Sequence, residues 1–181
     1  MKEIYENVNT DSFDVSSILD DHKLLIKKYK NVIIQPTTLL IDPDRILIGE
    51  GSWIGSYSNL RSVNNQIIIG KNVLIAQMVS IISDQYDYAD VHLLIKKEKT
   101  KGRNIVIEDD VWIGASSIIL PGVNIGSHSV IGAGSVVTKS IPRYCVAVGN
   151  PAKIKKRYSI KLKKWLKYNL LIKIFFRLKI F

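Results

Sequence analysis

The chain contains a single cysteine, Cys145, so no intramolecular disulfide braces it and a small disulfide scaffold is excluded. Residues 1–31 hold no apolar run of the kind that forms a secretory leader, which makes the cytoplasm the expected location. The tail from Tyr158 to Phe181 is rich in large apolar residues, yet its longest uninterrupted runs are Leu170–Ile172 and Ile174–Phe176. A membrane-spanning helix needs about 20 apolar residues in a row, so none is expected there. Acids are missing from the whole second part. Residues 1–110 carry 13 Lys/Arg and 16 Asp/Glu, whereas residues 111–181 carry 13 Lys/Arg and no acid, so a net of −3 is followed by one of +13. The partner of the second part should be anionic: cofactor phosphates, lipid headgroups or, as a weaker alternative, nucleic acid. Histidine is scarce too, with only His22, His92 and His128. Hydrophobic residues are not scarce; at 46% of 181 residues they exclude a wholly disordered chain and suit one domain with appendages.

What the chain does have is a period of six. Aliphatic residues stand at Ile107, Ile113, Ile119, Ile125, Ile131 and Val137, and Gly114, Gly126 and Gly132 directly follow three of them. Four positions after each aliphatic comes a small or β-branched residue: Val111, Ser117, Val123, Ser129, Ser135 and Ile141. Six matches neither the 3.6 of an α-helix nor the 2 of a long strand. It matches a parallel β-helix, in which each hexad supplies one short strand and one turn and three hexads close a triangular coil. Each aliphatic then points inward and stacks about 4.8 Å from its counterpart in the next coil. The same spacing occurs at Ile48, Ile54 and Leu60 and again at Ile69, Ile75 and Ile81, with three extra residues bulging around Val63–Asn65. The expected fold is an all-β solenoid over residues 32–153, interrupted by a polar loop at 83–104.

At both ends the period is absent. Val15, Ile18, Leu24 and Leu25 fall at helical spacing, so a helical cap within residues 1–31 is expected over one open end. His22 lies there beside Asp20 and Asp21 and reads as a solvated helix histidine. Residues 154–181 combine Trp165, Tyr168, Ile172 and Phe176 with the cluster Lys163, Lys164 and Lys167. That is the pattern of a basic amphipathic helix lying in a membrane interface, with packing on a neighbouring subunit or nucleic acid as the other uses of such a face. The loop 83–104, with Lys96, Lys97, Lys99, Lys101 and Arg103 near its end, is the expected seat of function. Regular coils leave little room for a concave site, and long loops in compact folds are more often functional than idle.

The runs Val111-Trp-Ile-Gly-Ala-Ser116, Ile119-Leu-Pro-Gly-Val-Asn-Ile-Gly126, Val130-Ile-Gly-Ala-Gly-Ser-Val-Val-Thr-Lys139 and Ala147-Val-Gly-Asn-Pro-Ala-Lys153 carry a more specific message. They resemble the hexapeptide-repeat acyltransferases, in the branch of acetyl-CoA-dependent sugar O-acetyltransferases that act on maltose, galactosides and exopolysaccharides. The likeness covers residues 40–157 and is densest from 105 to 153. It implies a left-handed parallel β-helix, an exception to the usual crossover rule, and a homotrimer with active sites between neighbouring subunits. It also implies a sugar or lipid-linked glycan as acceptor, in the assembly of capsule, O-antigen or exopolysaccharide. By position, Trp112 would pack beside the pantetheine arm, and Gly114, Ala133 and Gly134 would let the cofactor lie close to the coil edge. Thr138, Lys139 and Lys153 would serve its adenosine-phosphate end, where cations suit phosphates.

The same resemblance places a general-base histidine in the loop, and the ungapped match puts Tyr86 there instead. Deprotonating a sugar hydroxyl as it attacks a thioester calls for a base near neutral pKa, whereas tyrosine titrates near 10. Three readings stay open. His92, six residues on, takes the role with Asp84, Asp87 or Asp90 orienting it; Tyr86 with Asp84 or Asp87 does altered chemistry; or the chain has become a trimeric module that binds CoA or a partner without turnover. His128, at an outward turn, reads as a surface histidine. A zinc hydratase on the same scaffold needs three histidines from neighbouring strands, and the three present are too scattered, so no metal is expected.

Overall fold

The computed structural model describes Tyr29 and residues 31–169. The chain visits three parallel sheets in rotation. The first contains Ile33–Ile34, Trp53–Ile54, Leu74–Ile75, Trp112–Ile113, Val130–Ile131 and Cys145–Val148; the second runs Leu39–Ile41, Asn59–Arg61, Ser80–Ile82, Ile118–Ile119 and Val136–Val137. The third holds Ile46–Ile48, Ile67–Ile69, Ile105–Ile107 and Asn124–Ile125, with Ile141 bridging to Ile125. This is the connectivity of a parallel β-helix. Register follows the hexads, with Ile54, Ile75, Ile113 and Ile131 in one column and Leu60, Ile81, Ile119 and Val137 in another. Ile69, Ile107 and Ile125 form the third. All of these side chains are buried, as are Val111, Ser117, Val123, Ser129, Ser135 and Ile141 four places on. Removing one isoleucine side chain from water is worth roughly 1.5–3 kcal/mol, so the columns supply the core.

The serines inside the coils are satisfied by coil-to-coil hydrogen bonds. Ser52 Oγ donates to the Gly70 carbonyl and accepts from the Val73 N–H, and Ser129 Oγ does the same with Pro142 and Cys145. A buried hydroxyl without partners would cost about 1–3 kcal/mol; here it ties one turn to the next. The corner between the third and first sheets turns each time through a left-handed residue: Asn31, Gly51, Asn72, Asp110, His128 and Tyr144, with φ from 54 to 77°. Asn, Asp and His tolerate that region better than most side chains. Gly114 answers a different demand, since a Cβ there would lie 2.5 Å from the Ala133 nitrogen of the next coil.

The ends depart from expectation. The N-terminal helical cap expected over residues 1–31 lies outside the described residues except for Tyr29 and Asn31. That ring is buried, and its hydroxyl donates to the Ile46 carbonyl at 2.7 Å. Burial, and then the nearby Asp44 charge, push the phenol up to about 12. At the other end, the helix expected over residues 154–181 does not form in its described part. Lys153–Ser159 and Lys164–Lys167 are strands of an antiparallel hairpin laid against Cys145–Val148. The last parallel strand leaves a row of open backbone donors and acceptors, and pairing with it outweighs the weak local preference for helix. Residues beyond 169 lie outside the described part.

Glu108 clasps three successive coils by accepting hydrogen bonds from Arg143 Nε (2.6 Å), Ser127 Oγ (2.7 Å) and Ser127 N–H (3.0 Å). The Arg143 guanidinium first, then the two Ser127 donors, pull its carboxyl from 4.5 down to about 2. A depressed carboxylate stabilises the fold above its unfolded pKa, and the contribution is lost as pH falls from 4.5 towards 2. Because the pair is partly exposed, screening limits it to about 1 kcal/mol. Denaturant titration of Glu108→Gln should show a loss of that size at neutral pH and none near pH 2. Ile113→Ala should cost about 2–4 kcal/mol at both pH values.

Candidate active site

The polar excursion leaves the second sheet after Ile82 and rejoins the third at Ile105, and it is folded. Asp84–Tyr86 pairs antiparallel with Thr100–Gly102, and a single turn of 3₁₀ helix spans Ile95–Lys97. Asp84 anchors it. Its buried carboxylate accepts from the Val63 N–H (2.8 Å), Asn65 Nδ2 (2.6 Å) and Ser83 Oγ (2.6 Å), with a longer bond from the Asn64 N–H. Burial opposes the charge, but these hydrogen bonds outweigh it and hold the carboxyl below its ordinary value. The three-residue bulge at 63–65 and the root of the loop are thereby locked to one another.

Beside this lock opens a cleft of about 600 Å³. Gln85, Lys101 and Arg103 of the ribbon form one wall, Asn64 and Asn65 of the bulge another, and Pro121 and Thr138 of the following coils the floor. Its polar amides and two cations suit a ligand with hydroxyls and phosphate or carboxylate groups. The two amides of the bulge and Gln85 were not among the residues singled out from the sequence, whereas Lys101 and Arg103 belong to the basic run noted there. The signal for the former was the extra length at 63–65, which puts side chains against the root of the loop one coil away, at the same corner.

The expected catalytic residues are only partly gathered there. Asp84 belongs to the lock beneath the cleft. Tyr86 is half exposed, paired with Thr100, and does not line the cleft. Asp87 accepts from the Tyr88 N–H (2.8 Å) and the Ala89 N–H (3.2 Å) and forms an ion pair with Lys101. Lys101 first, then those amides, keep its carboxyl below the usual range. His92 is exposed, and Asp90 Oδ1 accepts from its backbone N–H at 2.9 Å, not from the ring. None of the three aspartates therefore orients the His92 imidazole. Cys145 offers no nucleophile, because burial pushes its thiol up to about 11, with Arg157 only slightly opposing. No group of metal ligands occurs among the described residues.

The residues assigned to the cofactor fall on different corners. Trp112 stands half exposed on the first sheet between Leu74 and Val130. It shares a groove of about 200 Å³ with Asp110 and His128. There His128 Nδ1 meets Asp110 Oδ2 at 2.6 Å, and the imidazole stacks on Tyr144 at 5.0 Å. The pair is one coil apart, so the eighteen-residue spacing from 110 to 128 was the available signal; read alone, His128 passed as a surface residue. Ala133 and Gly134 occupy the corner between the first and second sheets. Gly134 has φ +67° and nothing within 4 Å of a would-be Cβ, which leaves that edge open to a ligand. Gly114, by contrast, faces the neighbouring coil. Thr138 and Lys139 sit at the cleft corner, and Lys153 opens the terminal hairpin, paired with Val148.

This arrangement has known relatives. Residues 104–139 match the family model described as bacterial transferase hexapeptide (six repeats). A solved maltose O-acetyltransferase from Clostridium difficile 630 is 30% identical, with a TM-score of 0.66 over 87% of this chain and 82% of that one. The chain belongs to the hexapeptide-repeat acyltransferases. A hexapeptide-repeat acetyltransferase from Vibrio cholerae, solved in complex with acetyl-coenzyme A, is 28% identical with a TM-score of 0.67, covering 81% of this chain and 79% of that one. WcaF of Escherichia coli K12, whose name describes a colanic acid biosynthesis acetyltransferase, is 34% identical over 123 residues. That match takes in 68% of this chain and 64% of WcaF, so the chain spans less than two thirds of that relative's length.

Asp84→Asn removes the charge and one acceptor from a site that receives four donors. Trypsin at pH 8 should then cut at Lys96, Lys97 or Lys99 about tenfold faster, the equivalent of ~1.4 kcal/mol, with the melting temperature of the coils little changed. Cleavage at the parent rate would show that the loop is held by something else.

Proposed function

We propose that the chain transfers an acetyl group from acetyl-CoA to a sugar hydroxyl during surface polysaccharide assembly in the cytoplasm, as a homotrimer of left-handed β-helices. The observation that carries this reading is the cleft of polar amides and cations, walled by a pinned loop, on a coil that ends in Thr138 and Lys139. The names of WcaF and of the maltose enzyme support a sugar acceptor, and the Vibrio cholerae complex supports the donor. The split of the cofactor residues supports the trimer: Trp112 and Gly134 on one side of the molecule and Thr138 on another can serve one ligand only if a second copy completes the site. An outward column of Ile33, Trp53, Leu74, Trp112, Val130 and Val146 along the first sheet offers an apolar face for that contact.

Acetyl-CoA supplies an activated carbonyl; the chain must hold it and take a proton from the attacking hydroxyl. Trp112 gives the pantetheine arm an apolar wall, and the open edge at Gly134 lets the carrier's backbone approach. Lys139 and Lys153 counter the phosphates. His92 serves as the base, its backbone fixed by Asp90 and its imidazole exposed to an incoming hydroxyl. A second reading, a trimeric module that binds CoA without turnover, is favoured by one observation: no carboxylate among the described residues orients that imidazole.

Thiol release from acetyl-CoA with a panel of sugars separates the two. Trp112→Ala should raise KM for acetyl-CoA about tenfold, and His92→Ala should lower kcat/KM by roughly 10²–10⁴. Turnover that survives His92→Ala removes that residue from the mechanism. Saturable CoA binding with no turnover on any sugar favours the module.

A further inference from the structure

The terminal hairpin presents apolar side chains that no other described residue covers. Its turn reads Ile160-Lys161-Leu162-Lys163, and Trp165 is the second residue of the returning strand Lys164–Lys167. Ile160 is 65% exposed, Leu162 44% and Trp165 42%. The Trp165 ring is held edge-on against Tyr158 at 5.3 Å, across a strand register that pairs the two residues, so it projects from a rigid base. Lys161, Lys163, Lys164 and Lys167 are exposed on the same eight residues and form no ion pair among the described residues.

Interleaved apolar and cationic side chains on a convex tip narrow the partner. A phosphate backbone of nucleic acid would use the lysines and gain nothing from Ile160 and Leu162. An ordinary solvated tip would use neither apolar residue. A bilayer interface uses both, taking Trp, Ile and Leu at the headgroup–acyl boundary and lysines against lipid phosphates. No acid occurs after Asp110 to repel such a surface. We propose that the hairpin docks on an anionic lipid bilayer, with Ile160, Leu162 and Trp165 entering the interface and the four lysines lying on the phosphates. In the described part of residues 154–181 this replaces the expected helix with a strand-built contact, and it stands independently of the acyl-transfer reading.

The full chain, carrying Trp53→Phe and Trp112→Phe so that Trp165 is the sole tryptophan, is mixed with vesicles of phosphatidylcholine alone or with one-third phosphatidylglycerol, each with brominated acyl chains. Binding to the anionic vesicles only, weakened by salt, with quenching of Trp165 fluorescence, is the expected result. Ile160→Asn with Leu162→Asn, in the parent chain, should lower vesicle affinity at least about tenfold and leave the melting temperature and any CoA binding unchanged. No binding to anionic vesicles would overturn the proposal. So would binding that leaves Trp165 unquenched or survives the double substitution, which would place the contact elsewhere in the chain, and so would preference for duplex DNA over the vesicles. Because neither donor nor acceptor is present, a failed acetyl transfer and a failed membrane contact give separate readouts.

Discussion

Parallel stacking at a fixed spacing governs this molecule. Each short strand hydrogen-bonds to the same position one coil away, and each inward aliphatic rests on the matching aliphatic of the next coil, so the side-chain columns and the backbone ladders share one repeat. A one-residue slip would turn an isoleucine outward and a turn residue inward. Length can therefore change only where the chain leaves the ladders. The bulge at 63–65 and the excursion at 83–104 lie at the same corner, between the second and third sheets. Stacked one above the other, they touch, and Asp84 is the residue through which they do so.

From that follows the division of labour between rigid and adaptable parts. The corners hold side chains in vertical register, which is why Asp110, His128 and Tyr144, spaced one coil apart or nearly so, form a continuous stack. A residue at such a corner is placed to within the precision of the ladder. A residue such as His92, six residues past Tyr86 and eight before Thr100, is placed only by local bonds to Asp90. The chemistry expected of the loop thus depends on the part of the molecule with the fewest constraints, while positions 112, 134 and 138, proposed to face the carrier, stand on the most constrained part.

The same distinction decides what was readable in the amino-acid order. The hexads at 107–137 and the buried positions four residues on are local and repeated, so their burial could be anticipated residue by residue. The extra length at 63–65 and the polar excursion were also visible. Their mutual contact was not, because Asp84 reaches Val63, Asn64 and Asn65 through a vertical neighbour that only the coil's winding brings close. Partners one coil apart were available from arithmetic alone, yet Asp110 and His128 look unremarkable unless the eighteen-residue offset is applied to polar residues as well as to aliphatic ones. The tail was misread for a different reason. Its apolar and basic residues fit a helical face, and local pattern does not reveal that an open strand edge at Cys145–Val148 is waiting to be paired.

That edge links architecture to surface chemistry. A solenoid must end somewhere, and its last coil exposes both backbone groups and the apolar interior. Here the chain turns back on itself, so that Ser159 is buried while Lys156, Tyr158, Trp165 and Lys167 fall on one cross-strand face. Closing the fold therefore concentrates cations and aromatic rings at one extremity, far in sequence from the acids of the first part. On the two readings proposed above, this prism would meet anionic groups in two independent ways. The corners proposed to face the donor would act through cations beside an open edge, where a phosphate-bearing chain can lie extended. The end would act through a convex tip, where only a yielding surface can accommodate lysine and isoleucine together.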